Sequence, residues 1–197
     1  MDTFTYRDDN ELVQNYISGN VSCLEELINR HRKKIYTYII LIVKNQHLAE
    51  DIFQDTFIRV MKSLQDGRYV DNGRFLSWVL RIAHNLIIDH FRKEKQLKTI
   101  SNDSCESDIF NSRKFADKTV EDHLVLDQVT RDIRRLIQEL PDDQKEVVIL
   151  RHYCGLSFKE IADHTNVSIN TALGRMRYAL INLRRLIKEK NLHMTLG

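Results

Sequence analysis

Apolar side chains recur at three- and four-residue steps along most of this 197-residue chain. After a short first helix expected over residues 9–17, such segments run over residues 21–43, 48–64 and 74–95, which predict the second, third and fourth helices. This spacing places the apolar residues on one face of a helix. One proline and six glycines leave few of the turns that an all-β fold would need. The sequence therefore predicts an all-α fold.

The apolar spacing stops over residues 96–119, where serine, asparagine and aspartate replace it. A segment of this composition cannot bury a core, which predicts a flexible linker. Further helices are expected over residues 120–139, from Pro141 onward, and over residues 158–164 and 169–190. The chain is thus expected to form two small helical domains, residues 1–95 and 120–197.

A helix-turn-helix is predicted in the second domain. Ser157 and Glu160 have the spacing of a capping box at the start of a short helix, and Ser168 can cap the last helix. Six bases and one acid follow from residue 168 to the end, which favours DNA binding by the last helix over a plain αα-hairpin, the alternative. The predicted core of this motif contains Ile161, Ala162, Val167, Ile169, Ala172, Met176 and Leu180.

Charge is distributed unevenly although the net charge is only +2. Residues 46–66 contain four acids and two bases, residues 67–98 seven bases and three acids, and residues 99–123 six acids and three bases. Two basic segments separated by an acidic one indicate two contacts with a polyanion such as DNA. Ordinary solvated helix faces are the alternative interpretation.

Three motifs in this order resemble those of the extracytoplasmic-function (ECF) sigma factors. They are Ala-Glu-Asp-Ile-Phe-Gln-Asp-Thr-Phe at 49–57, Arg-Phe-Leu-Ser-Trp-Val-Leu-Arg-Ile-Ala-His-Asn at 74–85, and the segment from Leu140 to Ala162. The resemblance covers nearly the whole chain apart from the linker and the last residues. It implies a protein that binds core RNA polymerase, through its clamp helices and its flap, and directs initiation at promoter DNA by reading the −10 and −35 elements.

One face of the third predicted helix, opposite its apolar residues, carries Asp51, Gln54, Asp55 and Ile58. The resemblance implies that this face docks on the clamp helices of the polymerase. A solvated helix face is the alternative.

The fourth predicted helix carries a polar and aromatic stripe, and the loop before it holds Tyr69. The resemblance implies that the loop around Tyr69 and the helix position Asn85 form a pocket for a base flipped out of the −10 element. Bases stack on aromatic rings, arginines neutralise phosphates, and an asparagine offers both a donor and an acceptor. For Trp78, covering the core is the alternative. The expected −10 residues are Tyr69, Arg74, Trp78, Arg81, Asn85, Asp89 and Arg92.

The last helix departs from the family pattern, because Leu173-Gly174 stands where a basic residue and a serine are usual. Asn170 can pair with an adenine edge and Leu173 can contact thymine methyl groups, which predicts an A·T-rich −35 element. Arg175 and Arg177 are expected to bind phosphates. The expected −35 residues are Ser168, Asn170, Thr171, Leu173, Gly174, Arg175 and Arg177.

No catalytic site, cofactor or metal site is predicted. A glycine-rich phosphate loop and a nucleophile elbow are missing from the sequence, and His152 and Cys154 lack partners at zinc-finger spacing. An enzyme, or a regulator whose first domain is a ligand sensor, is the competing class.

Three widely spaced cysteines and no apolar leader or bilayer-length segment predict a cytoplasmic protein without membrane insertion. The resemblance also implies an anti-sigma protein as a partner.

Overall fold

The computed structural model describes residues 8–70, 73–101 and 132–190. The chain divides into two compact units, residues 1–111 and 112–197, and the division lies within the segment predicted as a linker. All regular elements of the described residues are helices, which confirms the all-α fold. Within those residues, no helix is long and apolar enough to cross a membrane. The start of the helix expected from residue 120 and the linker beyond residue 101 lie outside the described residues.

The first unit contains four helices. They are α1 (Asp9–Ile17), α2 (Val21–Val43), α3 (Gln46–Gln65) and α4 (Phe75–Ser101). The side chains of Asp8, Asn20 and Asn45 accept a backbone N–H at the start of α1, α2 and α3, respectively, and each satisfies one of the donors that the first turn leaves without a partner inside the helix. α4 continues to Ser101 instead of ending near Lys95, because no proline or glycine interrupts it.

Helices α2, α3 and α4 pack against one another, and α1 packs on α2 and α3. The predicted apolar faces form this core. The Tyr38 hydroxyl in the core lies 3.0 Å from Nδ1 of His84, which joins α2 to α4. The core side chains include Leu24, Leu27, Ile35 and Ile39 of α2, Ile52, Phe57, Val60 and Leu64 of α3, and Val79, Ala83, Leu86 and Ile87 of α4.

A polar contact attaches α1 to α2. The Asp9 carboxylate accepts a hydrogen bond from Arg30 at 2.9 Å and lies 2.7 Å from Nε2 of His31. The His31 ring is buried and packs on Phe75, with ring centroids 5.7 Å apart. Burial lowers the pKa of His31, although Asp9 raises it, so the neutral ring is favoured and can donate its Nε2–H to Asp9.

The second unit contains α5 (residues 132–138), α6 (Asp142–Val148), a π-helical turn (Ile149–Tyr153), α7 (Phe158–Thr165) and α8 (Ile169–Glu189). Pro141 stands immediately before α6, as predicted from its fixed φ and missing N–H. Both α6 and α7 pack on α8. The buried residues Ile161, Ala162, Ala172, Met176 and Ala179 form the contact between α7 and α8 and its surroundings.

Two residues predicted in that core lie at the surface. Ile169 is 46% exposed and Leu180 is 41% exposed, whereas Ala179 is fully buried. The buried stripe of α8 runs through Ala172, Met176 and Ala179, and both exposed residues fall beyond its edge. The apolar residues of α8 therefore predict a wider buried face than the helix has.

The π-helical turn was not predicted. It is followed by Gly155 with a positive φ of 78°, and the Leu156 N–H donates to the Leu150 carbonyl at 3.1 Å. The Arg151 guanidinium donates to the Leu156 carbonyl at 2.8 Å and lies 5.2 Å from the centre of the Phe158 ring. These contacts hold the end of the turn against the start of α7.

Candidate polymerase and nucleic-acid interfaces

The outward face of α3 holds the four residues predicted to contact the polymerase. Asp51, Gln54 and Asp55 are exposed, and Ile58 at the C-terminal margin of the face is 56% exposed. The buried residues of α3 lie on the opposite side. An exposed isoleucine beside acidic and amide groups suits a protein-binding surface, since such surfaces combine apolar and polar groups.

A basic pocket lies at the other end of α3. Its volume is about 390 Å³, and its lining brings together the C-terminal half of α3, the following loop and α4. Asn85 lies in the lining and is itself exposed. Arg68 also pairs with Asp66 at 3.2 Å and stays 72% exposed. The lining residues are Arg59, Lys62, Ser63, Arg68, Ile82 and Asn85.

Two cations of this pocket, Arg59 and Lys62, lie outside the segments predicted to contact DNA. They belong to residues 46–66, which contain four acids and two bases and are acidic as a whole. The acids Glu50, Asp51 and Asp55 stand in the N-terminal half of α3, whereas Arg59 and Lys62 stand in its C-terminal half. The three-residue step from Arg59 to Lys62, which puts both on one side of the helix, was the signal available in the sequence.

The predicted stripe of α4 is present with different exposures along its length. Arg81, Asn85 and Arg92 are exposed, whereas the other three members are partly buried. The Arg74 carbonyl accepts the Trp78 N–H at 3.0 Å, so Arg74 stands at the start of the helix. The partly buried members are Arg74, Trp78 and Asp89.

Tyr69, which is expected among the −10 residues, is buried in this structure. Its side chain is 9% exposed, and its ring centroid lies 4.6 Å from that of Trp78 and 6.1 Å from that of Phe75. The loop thus folds its aromatic ring back onto the first turns of α4. In this conformation the Tyr69 ring is not an open platform for a base, and Trp78 both packs on it and keeps part of its surface exposed.

The start of α8 carries the predicted −35 residues. The Ser168 hydroxyl accepts the Thr171 N–H at 3.1 Å and lies 2.9 Å from the Thr171 hydroxyl. Asn170 and Thr171 are exposed, and Leu173 is 44% exposed. A Cβ atom at Gly174 would meet no atom within 4 Å, so there is open space beside the helix at this position.

Arg175 and Arg177 differ in their surroundings, although both were expected to bind phosphates. Arg177 is exposed. The Arg175 Nε lies 3.2 Å from Oδ2 of Asp143 at the start of α6, and only 26% of the Arg175 side chain is exposed. Arg175 therefore already has an anionic partner in the free protein, which its position in the sequence did not reveal.

A helical unit with a basic pocket, followed in sequence by a unit with a helix-turn-helix, is typical of a DNA-binding protein with two domains. Residues 27–96 match the family model for Sigma-70 region 2, and residues 130–178 match the model for Sigma-70, region 4. The chain belongs to the sigma-70 family of RNA polymerase sigma factors, within its ECF group. Members of this family are transcription initiation factors that bind RNA polymerase and recognise promoters.

Similar proteins cover most of the chain. It is 29% identical to the ECF RNA polymerase sigma factor SigW of Bacillus subtilis over 174 aligned residues. These residues cover 87% of this chain and 92% of SigW. It is 28% identical to the RNA polymerase sigma factor CarQ of Myxococcus xanthus, covering 92% of this chain and 99% of CarQ.

Solved structures share the fold. CnrH, in complex with the cytosolic domain of CnrY, superimposes with a TM-score of 0.66 at 21% identity, over 92% of this chain and 97% of CnrH. The sigma factor RpoE of Bartonella quintana, in complex with the anti-sigma factor NepR, gives 0.64 at 19% identity, over 83% of this chain and 96% of RpoE.

Proposed function

We propose that the first unit binds core RNA polymerase through the outward face of α3 and captures the −10 strand in the basic pocket. The observation that carries this proposal is the pocket itself, where Arg59, Lys62 and Arg68 stand beside Asn85. Three cations suit the phosphates of a single strand, and the amide of Asn85 suits a base edge. The acidic half of α3 suits a protein surface instead, since it would repel phosphates.

Strand opening requires that the energy of taking a base out of the stack, a few kcal/mol, is offset in the pocket. Stacking on an aromatic ring supplies roughly 1–3 kcal/mol per base, and the partly exposed Trp78 is the aromatic ring that α4 offers for it. Tyr69 supports that ring from beneath. Arg81 and Arg92, exposed on the same helix, hold neighbouring phosphates.

The second unit reads the −35 element with the start of α8. Recognition helices contact bases near their N-terminal end and phosphates from flanking residues. Asn170 pairs with an adenine edge, Leu173 contacts thymine methyl groups, and Arg177 binds a phosphate. Ser168 and Thr171 bond to each other and fix the start of the helix. The preferred −35 element is A·T-rich, and Gly174 lets the DNA approach closely.

The protein performs no chemistry of its own in this proposal, because the polymerase makes the RNA bonds. It acts in the bacterial cytoplasm, where transcription takes place. Residues 1–95 and 120–197 are the two functional domains, and residues 96–119 are the linker between them. An anti-sigma protein is a further proposed partner, supported by the complex in which RpoE of Bartonella quintana was solved.

Open-complex formation tests the pocket. Holoenzyme is assembled from core polymerase and the full chain, and strand opening is followed with permanganate on a cognate promoter. Asn85→Ala should reduce opening by roughly tenfold and relax the preference at one −10 position, because good base contacts contribute about 1–3 kcal/mol. Arg59→Ala should reduce opening equally at all −10 sequences, because it removes a phosphate contact.

Lys93→Ala is the matched control, since Lys93 is an exposed base on α4 that does not line the pocket. It should leave strand opening within about twofold of the wild type. Normal opening and an unchanged base preference in both pocket variants would place −10 capture elsewhere on the molecule.

A further inference from the structure

Tyr178 is the one exposed aromatic side chain among the residues that the structure describes. It is 62% exposed on α8, whereas every other described tyrosine, phenylalanine or tryptophan is buried or partly buried. Tyrosine is enriched in the surfaces through which proteins bind other molecules, because its ring is apolar and its hydroxyl can form a hydrogen bond.

The position of Tyr178 on α8 indicates which molecule that is. It lies four residues after Gly174 and eight after Asn170, so all three share one face of the helix. The buried residues Ala172, Met176 and Ala179 lie on the other side. The ring therefore extends the face that carries the expected base contacts.

The distance along the helix agrees with this arrangement. Eight residues at 1.5 Å each separate Asn170 from Tyr178 by about 12 Å along the axis, which is close to the width of the major groove. With Asn170 at the bases, Tyr178 stands at the far edge of the groove, where a ring meets sugars and thymine methyl groups. The Tyr178 hydroxyl is then placed to donate to a phosphate oxygen.

We infer that Tyr178 is a further sequence-reading residue of the −35 contact, with its ring against a thymine methyl group and its hydroxyl on the adjacent phosphate. The open surface at Gly174 allows the DNA to come close enough, because no side chain fills the space between Asn170 and Tyr178. This inference rests on the proposed reading of the −35 element by α8.

A protein partner is the competing explanation, since Ile181 is 46% exposed three residues further on. DNA is favoured because Asn170 and Gly174 precede Tyr178 on this face, and the one acidic residue of α8, Glu189, pairs with Arg185 at 2.9 Å. The exposed base Arg177 is the residue immediately before Tyr178.

The test uses holoenzyme containing the full chain and selects −35 sequences from a randomised promoter library. Tyr178→Ala should lower promoter affinity by roughly tenfold and erase the preference at one base pair, because base contacts are worth about 1–3 kcal/mol. Tyr178→Phe should keep the selected sequence but weaken binding severalfold, since only the phosphate hydrogen bond is lost. Ile181→Ala is the control and should match the wild type in both respects.

Core polymerase affinity is measured for the same variants. If Tyr178→Ala and Ile181→Ala both weaken polymerase binding while the selected sequence is unchanged, the patch is a protein contact and the inference is wrong. Wild-type affinity and selection in Tyr178→Ala would also overturn it. If the wild-type holoenzyme itself selects no −35 sequence, the proposed function of α8 fails, and Tyr178 has no sequence to read.

Discussion

Arg175 and Arg177 are two residues apart on α8, and the structure predicts opposite results when each is replaced by alanine. The Arg177 side chain is exposed and can neutralise a phosphate. Each phosphate contact contributes about 0.9 to the slope of log affinity against log salt, so Arg177→Ala should lower that slope by about one unit. Between 50 and 200 mM salt, the wild type should then lose roughly 3.5-fold more affinity than the variant.

Arg175→Ala should change the salt slope little, because Asp143 already neutralises Arg175 in the free protein. The ion pair is partly exposed, with 26% and 49% of the two side chains open to solvent, so solvent screening limits its contribution to about 0.2–1 kcal/mol of stability. Arg175→Ala and Asp143→Ala should each lower the free energy of unfolding by an amount in this range. The double variant should lose less than the sum of the two.

The assay is promoter binding by holoenzyme at four salt concentrations, together with urea unfolding of the free full-length protein. Arg177→Ala should change binding alone, and Arg175→Ala should change mainly unfolding. If Arg175→Ala lowers the salt slope by a full unit and leaves unfolding unchanged, then the ion pair with Asp143 opens on DNA and this reasoning is wrong.

Two further predictions concern the first unit. The Asp51→Arg, Gln54→Ala double variant should lose core polymerase binding, while its free energy of unfolding stays within about 0.5 kcal/mol of the wild type because both side chains are exposed. Glu25→Arg on α2 reverses an exposed charge elsewhere and is the control. Wild-type polymerase affinity in the double variant would contradict the docking face. Burial lowers the pKa of His31 from 6.5, so the unfolded chain binds more protons near that value, and the first unit should lose stability as the pH falls below about 6.5. His31→Gln should show a smaller loss in urea unfolding at pH 5.5 against pH 7.5, and an equal loss in both proteins would exclude His31 as the cause.

Most of the fold could be predicted because helix starts and apolar spacing are local properties. The bounds of α1 and α2 follow from the residues themselves, as does the Ser157 capping box, whose Ser157 N–H donates to Glu160 at 2.8 Å. The π-helical turn could not be predicted, because it spans only five residues, too few for its shift in the apolar spacing to be recognised in the sequence.

The sites were predicted less completely because they depend on contacts between distant residues. The ion pair of Asp143 and Arg175 could not be predicted, because helix spacing relates residues three or four positions apart and these two are 32 positions apart. The burial of Tyr69 depends on how its loop folds onto Trp78, which the glycines around it do not specify. The basic pocket joins α3, a loop and α4, so its lining appears only after the helices have packed.

The charge separation along α3 has a consequence for how this protein can change over evolution. Asp51 and Lys62 lie on one helix, eleven residues or about 16 Å apart along its axis. At physiological ionic strength the Debye length is about 8 Å, so the field of Asp51 is largely screened at Lys62, whereas Asp55 lies only four residues, about 6 Å along the axis, from Arg59. Substitutions at Asp51 that adapt the helix to a different polymerase surface therefore leave the electrostatic potential at Lys62 nearly constant, whereas substitutions at Asp55 change the potential at Arg59, so only the outer parts of the two halves can diverge independently.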